Sequence, residues 1–197
     1  MIKTLKLIIA PLWIAAFAAV ACMKKEAIDT LPHPAMEYTD LNGLEIGDRE
    51  YYNLDVDANG TVDFTFSTRS VGDPILKQDR LQYLAGSKIE TNLLNNANDD
   101  SPKMVRGEKI GINHKGYNWY ELSSVLLAEK VNPLEGASWW QGVWKDADHN
   151  YLPLQLIKAG KLYHGWVEIS FNALKGKLVL HKAAICTESN KEIKAGF

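Results

Sequence analysis

The amino-acid sequence predicts an all-β protein, an antiparallel β-sandwich of jelly-roll-like type folded as a single domain. Three observations lead there. Apolar residues alternate with polar ones at a period of two, the pattern of a strand with one buried face. It is clearest at Tyr52, Leu54 and Val56, then Val62, Phe64 and Phe66, and again at Tyr163, Val167, Ile169 and Phe171. Turn-forming groups break the chain at short intervals: Asn59-Gly60, Gly72-Asp73-Pro74, Asn132-Pro133 and Asn172 to Gly176. Hardly any stretch repeats at helical spacing. Many short strands between turns are the mark of sandwiches and related closed β architectures.

Taken in order, the chain begins with a segment that stands outside the fold. Lys3 and Lys6 precede an apolar run from Leu7 to Val20, followed by Ala21 and Cys22. The run falls short of the roughly 20 residues that a membrane-spanning helix needs, and small residues end it, as at a secretory cleavage point. Ala19-Val20-Ala21-Cys22 resembles a bacterial lipobox. That resemblance implies a signal peptide over residues 1–21, acylation of Cys22 and a lipid-anchored, exported lipoprotein. Met23 rather than Asp follows the cysteine. By the same resemblance the expected address is the outer membrane of a Gram-negative bacterium, the membrane being a partner through the anchor. Residues 22–37, with Pro32 and Pro34, read as a tether, and residues 38–197 as the sandwich.

Tyr51 to Phe66 is read as a hairpin around Ala58-Asn59-Gly60. A three-residue loop with Gly60 in the left-handed conformation sets Val56 against Val62 and Leu54 against Phe64, keeping apolar side chains on one face. It also sets Asp55 against Asp63 with Asp57 close by. Like charges facing each other across a ladder are unfavourable, and a bound cation would relieve them. Asp55-x-Asp57-x-Asn59-Gly60-x-x-Asp63 resembles the calcium loops of EF-hands, dockerins and integrin-type repeats. The resemblance implies a structural calcium held by Asp55, Asp57, Asn59, the Thr61 carbonyl and Asp63. Phe66 stands where an EF-hand has its bidentate Glu, and strands replace the helices, which argues against a calcium sensor.

Further along, short strands are expected at Leu81–Leu84 and Lys88–Thr91, and a polar loop from Leu93 to Lys103. A weak strand follows at Lys109–Ile112, a turn at Gly116–Trp119, and a strand or short helix at Tyr120–Ala128. Tyr151–Ile157, Lys161–Phe171 and Lys177–Cys186 are strands, with Gly165 marking a bulge or a close backbone approach. On Lys161–Phe171 the residues His164, Trp166, Glu168 and Ser170 occupy the polar face. Trp144, Tyr151-Leu-Pro-Leu, Tyr163-His-Gly-Trp-Val-Glu-Ile-Ser and Ile193 to Gly196 are together similar to secreted bacterial β-sandwich proteins of poorly characterised function. That similarity implies the fold and no particular activity.

The formal net charge of −2 provides no basic stripe for nucleic acid. With Cys22 acylated, Cys186 has no partner and reads as a buried, inert thiol. Gly-x-Ser-x-Gly, His-Glu-x-x-His and phosphate-loop signatures are all missing. The five histidines, His33, His114, His149, His164 and His181, show no ligand spacing. The expectation is therefore a non-catalytic binding or structural protein. The alternative is a glycan-binding module of the cell surface, with Trp139, Trp140 and Trp166 offering ring faces to sugars, since an exposed aromatic has an apolar face to give. A glycoside hydrolase, a third reading, requires two carboxylates brought together in space.

Overall fold

The computed structural model describes residues 33–197. The signal peptide, Cys22 and most of the tether lie outside the described residues. Thirteen strands and no helix form the described chain. One sheet has six strands in the order β1 (Met36–Ile46), β12 (Lys177–Cys186), β11 (Lys161–Asn172), β10 (Asn150–Lys158), β5 (Thr91–Asn95) and β7 (Asn118–Glu121). The other has five: β2 (Tyr51–Leu54), β3 (Phe64–Asp73), β4 (Gln78–Ser87), β8 (Ser124–Pro133) and β9 (Trp139–Gln141). All pairings are antiparallel. Two short strands, β6 (Lys109–Ile110) and β13 (Ile193–Lys194), pair with each other.

The main core lies between the two large sheets. Phe64, Phe66, Tyr83, Val125 and Leu127 meet Leu152, Leu154, Val167, Ile169 and Leu180 there. Their alternation in sequence matches their common face, as the period-two reading requires. A second apolar cluster covers the outer face of the six-stranded sheet. Leu94, Tyr151, Trp166, Ala184 and Cys186 of that sheet pack under Met104, Ile110, Ile193 and Ala195. The covering layer is the β5–β7 connection and the C-terminal segment. It explains why Tyr151 to Leu156 is buried without interruption.

Several expectations are corrected. The strand expected at Leu81–Leu84 lies within a longer one, β4, whereas Lys88 to Glu90, expected as strand, is the turn that joins β4 to β5; Leu93 and Leu94 are buried strand residues rather than part of a polar loop. The region near Trp119 is strand β7, and Tyr120 to Ala128 holds the end of one strand and the start of another. Gly165, by contrast, is the close backbone approach, one of the two roles expected of it: a Cβ there would overlap the Ala184 carbonyl. Trp166 is 2 % exposed, because the polar-looking face of β11 is the face that the second layer covers. Its indole N–H donates to the Phe197 carbonyl at 3.2 Å. On that same face Asn92 donates to Gln155 at 2.7 Å, Gln155 meets His164 at 3.1 Å, and His164 Nδ1 lies 2.7 Å from the Lys191 carbonyl. Burial holds the His164 imidazole below its ordinary pKa, so this buried row is satisfied by a neutral ring.

Candidate functional site

The strand pairing of the hairpin starts as its sequence dictates. Leu54 faces Phe64 and Tyr52 faces Phe66. The ladder then stops, and Asp55 to Asp63 forms a loop instead of the expected Val56–Val62 and Asp55–Asp63 pairs. The cause is local. Short acidic side chains capture the backbone N–H groups that a ladder would use. Asp55 accepts from the Asn59 and Gly60 amides at 3.1 and 2.6 Å. Asp57 accepts from the Asn59 amide at 3.3 Å, and Asp63 from the Val56 amide at 2.8 Å. Ala58 and Gly60 take φ of 53° and 88°, so the left-handed turn expected at Gly60 is present.

This loop gathers its acids on one point. One carboxylate oxygen each from Asp55, Asp57 and Asp63 lies within 4.8 Å of the other two. Such a cluster can hold a metal ion, and no other trio of His, Cys, Asp or Glu among the described residues converges in that way. Asp63 is the innermost, 5 % exposed. Burial, followed by the negative charges of Asp57 and Asp55, pushes its carboxyl up to about 6. Asp57 feels burial too, but the Lys158 ammonium, 2.5 Å from Oδ2, outweighs it and leaves that carboxyl below its usual range. One lysine thus faces three acids. The remaining two predicted ligands lie in the same loop. Asn59 Oδ1 accepts from the Thr61 amide at 2.7 Å, while its Nδ2 donates to Asp57 at 3.0 Å. Thr61 is exposed, with its N–H held by that Asn59 contact. The acid trio is assembled, and Asn59 also braces the loop's backbone.

The aromatic candidates separate sharply. Trp166 is buried, as above. Trp140 packs inward against Tyr83 and Phe171, with ring centroids 5.8 and 4.8 Å away. Trp139 points to the opposite face of β9 and is 46 % exposed. Beside it a polar row crosses four strands on the outer face of the five-stranded sheet. Arg69 donates to Gln82 Oε1 at 2.8 Å, Gln82 to Glu129 at 3.0 Å and Gln141 to Glu129 at 2.5 Å. Gln141 also accepts from the Trp139 indole at 3.3 Å. Glu129 is 3 % exposed although it lies on an outer face, with both carboxylate oxygens engaged.

Sequence spacing did not reveal the histidine pair. His149 and His181 stack with centroids 4.1 Å apart, near Glu168 and Ser170. The bulge that breaks the β11–β12 register beside Glu168 and Ile169 accompanies this meeting. Cys186 is a buried free thiol in the second cluster, and burial raises its pKa. No protein family, curated protein or solved structure matches the chain.

Proposed function

We propose that this chain is an exported, lipid-anchored binding protein, tethered through Cys22 to the outer membrane of a Gram-negative bacterium, and that calcium braces the loop from Asp55 to Asp63. The observation that supports the calcium is the convergence of Asp55, Asp57 and Asp63 opposite a single lysine. A hard dication prefers such oxygen donors. Asp63 then serves as the buried anchor of the site, and the ion ties β2 to β3 beyond the last ladder pair. The role is structural, so the loop holds the edge of the sandwich while other surfaces meet a ligand.

Calcium titration of the full chain, by calorimetry and by melting temperature with and without chelator, tests this. A saturable heat and a higher melting temperature are expected. The pH dependence sharpens the test. In chelator, the folded-state pKa of Asp63, about 6, exceeds its unfolded value of 3.8, so the folded chain holds the extra proton between them. The Asp63 contribution to stability therefore rises as pH falls from 7 towards 5, the reverse of a salt-bridged carboxylate; the burial-lowered His114, His164 and His181 act in the opposite direction, so it is read as the difference between the native chain and Asp63→Asn. Calcium binding requires the ionised form, and that acid gain disappears when the ion is bound. Silent calorimetry and an unchanged melting temperature at pH 7 would remove the calcium.

A glycan as the ligand is the second reading. It draws on Trp139, the remaining exposed member of the three tryptophans first considered, lying beside the amide and carboxylate row of Gln82, Glu129 and Gln141.

A further inference from the structure

A pocket of about 460 Å³ opens where β5 ends and β8 begins. Asn95 lines it as the last residue of β5, together with Asp99 from the loop that follows, Tyr120 and Glu121 from the end of β7, and Ser123 and Ser124. The volume falls within the roughly 300–1,000 Å³ of small-ligand clefts.

Asn95 is the unusual member. It is 1 % exposed, and its Oδ1 has no hydrogen-bond partner. Its Nδ2 donates to Ser123 Oγ at 2.5 Å. Turning the amide over does not help, because the orphan would then be the NH2 group. A buried amide acceptor left unpaired is unfavourable, and a polar group supplied from the pocket would pair it. Ser123 is itself held rigidly: its amide donates to Ser87 Oγ at 2.9 Å, and its carbonyl accepts from the Ser87 amide at 2.8 Å. Its hydroxyl accepts from Asn95 and still has a proton to donate.

We infer that this pocket binds a sugar residue, one hydroxyl of which donates to Asn95 Oδ1 and accepts from Ser123 Oγ. The inference rests on the glycan reading and places its ligand in a different site from Trp139. The chemistry selects among ligand classes. Two carboxylates and no Lys, Arg or His line the pocket, which disfavours phosphates and other anions. An ammonium group satisfies Asn95 Oδ1 but offers nothing to the Ser123 proton. A sugar hydroxyl both donates and accepts. Asp99 and the Oε2 of Glu121, whose Oε1 already accepts from the Glu90 amide at 2.5 Å, are further acceptors for neighbouring hydroxyls, and Tyr120, 47 % exposed, has an apolar ring for the sugar's C–H face.

The test is a glycan array of defined mono- and oligosaccharides probed with the full chain, followed by calorimetric titration with the strongest-binding sugar. Tyr120→Ala and Asn95→Ala are each expected to weaken that binding tenfold or more, and by a larger factor than Trp139→Ala. Should Asn95→Ala fail to fold by circular dichroism, Tyr120→Ala decides alone. Binding weakened by Trp139→Ala and untouched by Tyr120→Ala overturns the pocket while the glycan reading stands. Binding of simple amines in place of sugars overturns the pocket's ligand class. An array with no bound sugar overturns both the pocket and the glycan reading.

Discussion

The outer faces of the two large sheets differ in kind. On the six-stranded sheet, Tyr151, Trp166 and Ala184 are sealed beneath Met104, Ile110, Ile193 and Ala195. On the five-stranded sheet, Trp139 stays 46 % exposed, and polar side chains satisfy one another across the strands. Both faces carry tryptophan and charged or amide groups in sequence. What separates them is the covering layer, and that layer comes from segments far along the chain. Large aromatics on a strand's outward face are core where such a layer exists and surface where it does not.

Truncating one tryptophan on each face measures this contrast directly. Trp166→Ala is expected to have the largest effect, about 3–5 kcal/mol of lost stability in urea titration, as for a large aromatic removed from a packed interior. A loss below about 1 kcal/mol would show that the second layer does not pack as a core. Glu129→Ala comes next. It strands the Gln82 and Gln141 amides that now donate to the carboxylate, at a cost of about 1–3 kcal/mol. Glu129→Gln, which keeps an acceptor in place, should recover part of that loss. Equal losses for the two variants would mean that the row contributes nothing through its hydrogen bonds. Trp139→Ala should change stability least, within about 0.5 kcal/mol, as exposed substitutions usually do. A cost near that of Trp166→Ala would erase the distinction between the faces.

The same contrast shows how much was legible beforehand. Period-two alternation assigned the right faces to β11, since Val167, Ile169 and Phe171 do enter the main core. It said which residues share a face and nothing about what lies over them, so Trp166 and His164 read as surface. The acid loop shows the opposite limit. Its three carboxylates sit within nine residues, so their grouping was visible in sequence. The ladder around them was read as too long, because the aspartates take the backbone amides for themselves. Asn95 illustrates the remainder: its partner Ser123 lies 28 positions away, on the far side of a turn that the sequence reading placed differently.

By itself, then, the sequence determined the all-β class, the inward face of β11, the Leu54–Phe64 register and the gathering of Asp55, Asp57 and Asp63, all properties set by neighbours a few residues apart. Tertiary structure alone decided which outward face is sealed, which tryptophan meets solvent, how His149 comes to stack on His181, and where a buried amide is left short of a partner. Those outcomes depend on strands from distant parts of the chain being laid side by side. Local pattern specifies the side to which a residue points, and long-range packing specifies what it meets there.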